Sequence, residues 1–242
     1  MLERLKAAGF DVEALHHAEA ILQHDMPAAL AEVEEVLLDM SIPIAEIVQG
    51  GGGEAPFTQR LRRAFASRGW TKRTIEIKKL VNGRETTSLS HEIDHVRAID
   101  PWLIALEIEW NNKDPFFDRD LESFKRLHAD GAISVGTIIT RGRSLHENLR
   151  ALIRRFAEAN NISDIAGLEP FKYRPTIRQQ KNIQGRTARG KSFREAWVDA
   201  FVSDKFGEAT THWRKLHDRV NRGVGNPCPL LLIGLPQTVV AD

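Results

Sequence analysis

The sequence predicts an α/β protein, and three observations predict it. Strand patterns joined by turn signals run from residue 71 to 110, a helical pattern follows at 118–129, and an unbroken apolar run occupies 132–140. Such a run suits a strand buried on both faces, as parallel sheets favour. The order is β-turn-β-α-β.

The elements follow in chain order. Between residues 12 and 40, Leu15, Ala18, Ile21 and Leu22, then Leu30, Val33, Val36 and Leu37, recur at helical spacing with a break near Pro27. Two helices are expected there. After the glycine run at 50–53, Thr58 is the expected N-cap of a helix through Leu61 and Phe65 that ends at Gly69. A strand at 71–80 leads to Asn82-Gly83, a pair that tolerates the positive φ of a hairpin turn. Two more strands, 88–99 and 102–110, meet at Asp100-Pro101. In the second, Trp102, Ile104, Leu106, Ile108 and Trp110 share one face, and Leu103, Ala105, Glu107 and Glu109 share the other. One face is expected to pack while the other carries acid. The helix at 118–129 turns Leu121, Phe124 and Leu127 inward and closes at Asp130-Gly131. After the strand at 132–140 come a helix at 144–159, a loop through a basic run, helices at 193–202 and 210–221, and a strand at 230–235.

Composition narrows the class. With 242 residues, 42% of them hydrophobic, the chain can build one sizeable core, and one continuous domain over 1–242 is expected. Charged residues at 28% cancel to a net +1, which excludes disorder as a description of the whole chain. The single cysteine, Cys228, excludes an internal disulfide and a multi-cysteine zinc cage, and indicates a reducing, cytoplasmic setting. The longest apolar runs, 133–140 and 229–236, fall far short of the roughly 20 residues a membrane span needs. Glu3, Asp11, Glu13 and Glu19 do not fit an export signal.

Charge is polarised along the chain. Residues 1–58 hold eleven acidic side chains against Arg4 and Lys6, a net of −9, so a helical acidic portion of about 48 residues begins the chain. Residues 171–194 hold Lys172, Arg174, Arg178, Lys181, Arg186, Arg189, Lys191 and Arg194 and no acid. With Gln179, Gln180, Asn182 and Gln184 among them, this run can neutralise phosphate and read base edges. A solvated basic loop without a ligand is the equal alternative.

Glu107 and Glu109 are the centre of the functional expectation. Two positions apart on a strand they point the same way, with Cα atoms roughly 6.6 Å apart. Carboxylates aimed at one spot repel unless a cation lies between them. Mg²⁺ is the natural occupant, held by carboxylates, water and substrate phosphate. Asp94 is the expected third acid, brought near Glu107 if the strands fold back at Asp100-Pro101, although the register is open and Asp100 competes. A solvent-facing strand that happens to carry two glutamates is the bland alternative. His91 and His95 lie on the strand face opposite Asp94 and are expected to pack, as are the five tryptophans. Arg141 and Arg143, just past a strand end, are candidates for phosphate or base contact, or ordinary surface residues.

The stretch Glu107-Ile-Glu-Trp-Asn-Asn-Lys-Asp-Pro-Phe-Phe-Asp-Arg-Asp-Leu121, continued by Leu127-His128, Ile133-Ser-Val-Gly136 and Ile138-Ile-Thr-Arg141, closely resembles type II restriction endonucleases of the BglII/BstYI family. Similarity extends back to His91-Glu-Ile-Asp94 and, more loosely, forward to Pro227-Cys-Pro-Leu-Leu-Leu-Ile-Gly234, spanning roughly residues 45–236. The resemblance implies the PD-(D/E)XK fold, a mixed central sheet flanked by helices. It further implies a homodimer on double-stranded DNA, Mg²⁺-dependent hydrolysis of one phosphodiester per strand at a palindromic site, and a partner DNA methyltransferase. By position, Asp94 matches the first metal ligand and Glu107 the second, with the main-chain carbonyl of Ile108 as a further ligand. Glu109 stands where most of the superfamily has lysine, BamHI-like enzymes glutamate and the BglII type glutamine. That residue therefore orients or deprotonates water, or holds a second metal, and is no cationic acid. Lys113 supplies positive charge if it curls back; an ion pair with Asp114 or Asp118 is the simpler expectation. Glu54 adds a carboxylate from a helix start, or merely favours the helix N-terminus. The basic residues Lys172 to Arg194 would embrace the DNA. Rival functions are a DNA-binding protein with an inert acidic cluster and a repair or modification-dependent nuclease.

Overall fold

The computed structural model describes residues 1–50 and 53–242, so the middle of the glycine run, Gly51-Gly52, lies outside it. In chain order the elements are α1 (Glu3–Ala7), β1 (Asp11–Leu15), α2 (Ala18–His24), α3 (Pro27–Leu38), β2 (Ile42–Pro43), α4 (Ile44–Val48), α5 (Pro56–Ala66), β3 (Thr71–Val81) and β4 (Arg84–Ile99). They continue with β5 (Trp102–Glu109), α6 (Phe116–Ala129), β6 (Val135–Arg141), α7 (Arg143–Ala159), α8 (Ile177–Thr187), α9 (Phe193–Lys205), α10 (Trp213–Asn221), β7 (Leu230–Leu235) and β8 (Val240–Ala241). Six strands form one sheet in the order β1-β7-β6-β5-β4-β3, and β2 pairs separately with β8. The central strands β5, β6 and β7 are parallel; β3, β4 and β1 add antiparallel edges, giving the mixed sheet the resemblance implies.

Local chemistry accounts for much of this. All seven residues of β6 are buried, as its apolar run requires between two parallel neighbours. Asn82 and Gly83 take φ of 49° and 78°, the pair of positive values a tight hairpin needs. Helices cover both faces of the sheet. One face packs Ile104, Leu106, Ile139 and Ile233 against Val33, Phe65, Leu149 and Phe201; the other packs Ala105, Ile138 and Leu232 against Phe117, Leu121, Phe124 and Leu216. Gly136 lets α6 lie close to β6, because a Cβ there would sit 2.7 Å from Phe124 Cγ.

Three expectations are corrected. Residues 11–15 form a strand rather than the start of a helix, paired from Asp11↔Gly234 to Leu15↔Leu230. A five-residue stretch cannot distinguish the two periods, and the open edge of β7 decides. The acidic N-terminal portion is thus built into the sheet and core, with Glu32 on α3 binding Arg97 of β4 through Oε2 to Nε at 3.0 Å and Oε1 to Nη2 at 2.8 Å. Second, α5 begins at Pro56 after Ala55, and the Thr58 hydroxyl donates back to the Ala55 carbonyl at 2.6 Å. Proline at the first helical position needs no N–H partner, so it starts the helix three residues early. Third, the basic run is not all loop: Thr176 and Gln179 form a reciprocal capping box that opens α8.

Candidate active site

Strands β4 and β5 pair in a register running from Ile99↔Trp102 to His95↔Leu106, so Asp94 and Glu107 come next to one another where the ladder ends. The Asp94 amide donates to Glu107 Oε1 at 3.4 Å. The second face of β5 carries acid as expected, but the alternative of a solvent-facing strand is excluded, because α6 roofs it. Glu107 is 6% exposed and Glu109 3%. The roof adds an acid that the strand patterns do not reveal, Asp120, 4% exposed. Its signal is in the sequence: Phe117, Asp120, Leu121 and Phe124 follow the spacing of a core-facing helical stripe, so an aspartate occupies an apolar position.

Burial sets the electrostatics. It pushes the Glu107 carboxyl up to about 9, with Asp120 and Asp94 adding in the same direction. Glu109 is raised by burial and then by Asp120; Asp120 is raised by burial despite the opposing Arg119 charge. Asn112 Nδ2 donates to Glu109 Oε2 at 2.7 Å. Arg119, stacked on Phe116, donates from Nε to Asp120 Oδ1 at 2.8 Å and from Nη2 to Glu109 Oε1 at 3.5 Å. Asp120 Oδ2 is buried and finds no donor among the described residues. One guanidinium therefore faces three buried carboxyls, an all-oxygen donor set short of positive charge, and a hard divalent cation fits it.

The expected lysine is not part of this arrangement. The Lys113 backbone bridges to Thr210, its side chain is exposed, and among the described residues it has no carboxylate partner. Asp114 and Asp118 pair with Arg219 instead, and Arg119 supplies the charge beside Glu109. Asp94 is exposed, 3.5 Å from Lys72. It borders a cleft of about 760 Å³ also lined by Glu54, Arg62, His95, Ile108 and Lys205. Glu54, ion-paired with Arg62 at 3.3 Å, thus shares the cleft with Asp94, whereas Glu107 and Glu109 lie on the other face of β5 beneath α6 and do not line it. His95 packs edge-on against Phe65, as expected of it.

The candidate DNA contacts divide. Arg141 is corrected outright: it is 0% exposed, and donates to the carbonyls of Trp110 and Thr211 and the hydroxyl of Thr210. The residues that bury it arrive from loops remote in sequence. Arg143 is exposed and lines a groove of about 610 Å³ with His146, Arg150, Glu208, His212 and Arg214. Within that groove His146, Glu208 and His212 bring donor atoms within 4.8 Å of one another. The two rings stack, 5° apart with centroids at 3.9 Å. In the basic run, Lys172, Arg174, Arg178, Lys181 and Arg189 are exposed. Arg186, Lys191 and Arg150 converge on Asp199, Lys191 and Arg150 remaining exposed. The amides of Gln179 and Gln180 serve the start of α8, Gln179 in the cap and Gln180 donating to the Pro175 carbonyl at 2.9 Å.

Acid gathered beneath a helix, with cations left facing solvent beside it, answers the two demands of cutting a polyanion, and places the protein in the class of nucleases. Comparison with family models gives the particular family. Residues 10–235 match the model for restriction endonuclease BglII/BglIII, a span that runs from β1 to the end of β7, and the chain belongs to that family. It is a site-specific deoxyribonuclease. No individual curated protein matches the chain.

Proposed function

We propose that the protein is a type II restriction endonuclease that uses Mg²⁺ to hydrolyse one phosphodiester in each strand of double-stranded DNA at a specific palindromic site. It acts as a homodimer in the cytoplasm, paired with a DNA methyltransferase that protects the same site. The whole chain serves as one nuclease domain, its acidic N-terminal portion supporting the sheet and its basic 170–194 segment facing DNA.

The observation that carries this reading is the juxtaposition of Asp94 and Glu107 at the ladder end, above buried carboxyls that lack a matching cation. Asp94, Glu107 and the Ile108 carbonyl would hold Mg²⁺. When bound, the ion supplies Lewis acidity toward the phosphate and a lowered pKa for water. Glu109, held by Asn112 and Arg119, orients the attacking water and takes its proton. The water oxygen bonds phosphorus in line as the bond to the 3′-oxygen breaks, and that oxygen leaves with a proton from solvent. Glu54 lines the same cleft as Asp94 in an ion pair with Arg62, and Lys113 faces solvent, so neither takes part in this step. Arg143 and the exposed cations from Lys172 to Arg189 would position the duplex through its phosphates.

The test is digestion of unmethylated plasmid by purified protein with Mg²⁺, with EDTA, and with Glu107→Gln. Discrete bands only in the first reaction are expected. Bands that persist with Glu107→Gln would remove the metal site from Glu107. Binding without cleavage under every divalent cation would favour an inert scaffold, and cutting confined to methylated plasmid a modification-dependent nuclease.

A further inference from the structure

We propose that Asp120 is a further carboxylate of the cation site, holding a divalent cation jointly with Glu109. This rests on the reading that Asp94 and Glu107 hold a cation, and it makes Glu109 a ligand as well as a partner of the attacking water. Three observations carry it. Asp120 occupies a core-facing position of α6 that would ordinarily be apolar, and its 4% exposure denies it water. Only one of its oxygens is satisfied: Oδ1 accepts from Arg119, while Oδ2 is buried with no donor among the described residues. Glu109 is the carboxyl nearest in hydrogen-bonding terms, the two lying within bonding reach when one carries a proton. A buried carboxylate oxygen without a donor costs free energy unless a cation meets it. Arg119 does not meet Oδ2, its bonds going to Oδ1 and to Glu109 Oε1.

The alternative is a structural aspartate that merely anchors Arg119. That alternative leaves Oδ2 to a proton shared with Glu109, and it predicts no loss of cation affinity when Asp120 becomes asparagine. The divalent class follows from the donors: carboxylate oxygens select Mg²⁺, Mn²⁺ or Ca²⁺ over softer ions.

Calcium titration by calorimetry, without DNA and without turnover, separates the readings. Asp120→Asn keeps the shape and removes the charge. The expected result is Ca²⁺ affinity at least about tenfold weaker than wild type, with a cation-free melting midpoint no lower than wild type. An isotherm unchanged in Asp120→Asn would overturn the inference while leaving Glu107 in place. Ca²⁺ binding unchanged in Glu107→Gln would overturn the underlying site reading instead. If Asp120→Asn melts early, Asp120→Ser is titrated in its place, and wild-type Ca²⁺ affinity in that folded variant would equally overturn the role.

Discussion

Arg141 and Thr211 are locked together in the interior: the guanidinium donates to the Thr211 carbonyl from Nε at 3.2 Å and from Nη2 at 2.7 Å. The contact reaches the site by a short chain. Thr211 accepts the Asn112 amide on its hydroxyl at 3.1 Å and returns its own amide to the Asn112 carbonyl at 2.8 Å, and Asn112 in turn holds Glu109. Arg141→Ala is expected to lose about 3 kcal/mol of stability, because it strands several buried acceptors at once. Urea unfolding measures it; a loss under 1 kcal/mol would show the loop to be held elsewhere.

The Glu107 carboxyl gives the cation-free protein a pH dependence of definite sign. Its pKa is about 9 in the fold against an ordinary 4.5, so between those values the folded state binds the extra proton. Stability then falls as pH rises through this window, by at most about 1.4 kcal/mol per pH unit for the one group. Melting midpoints in EDTA at pH 5, 7 and 9 should decline for the wild type and decline less for Glu107→Gln. Saturating Mg²⁺ should flatten the wild-type curve. Parallel curves for the two proteins in EDTA would contradict this.

The basic segment should split by mutation. Lys181→Ala is expected to weaken binding to all duplexes alike and to lower the slope of log affinity against log salt by about 0.9, the signature of one phosphate contact. Arg186→Ala should act mainly on stability, since Arg186 faces Asp199 together with Arg150 and Lys191. Filter binding at several salt concentrations, paired with melting curves, distinguishes the two. An unchanged slope for Lys181→Ala would take α8 off the DNA.

Gly136 holds α6 against the sheet, and Asp120 travels with α6. Gly136→Ala drives a methyl group into the Phe124 ring, whose Cγ would be 2.7 Å away. A destabilisation of about 1–3 kcal/mol is expected, as for other overpacked cores. Wild-type stability in that variant would mean that α6 shifts freely, and a shifted α6 should also weaken Ca²⁺ binding.

Local patterns made much of the site legible. The turn at Asp100-Pro101 is short, so Asp94 is expected near Glu107, but the register is set only in the folded sheet, where the two do meet. Alternation along β5 placed Glu107 and Glu109 on one face for the same reason. What alternation cannot say is what covers that face. Asp120 was hidden because a helix stripe containing one acid reads as an imperfect apolar stripe. Lys113 was misjudged because its loop is drawn away to Thr210, a partner remote in sequence.

By itself the sequence determined the strands and helices whose signals lie within a dozen residues, the shared face of Glu107 and Glu109, and the family, since its residues spell out the motif. Only the tertiary structure decided that residues 11–15 form an edge strand beside β7, that Arg141 is interior, and that Asp120 joins the two glutamates. The physical reason is common to all three. Backbone preference and periodicity act between near neighbours, whereas desolvation depends on which distant segments close over a side chain.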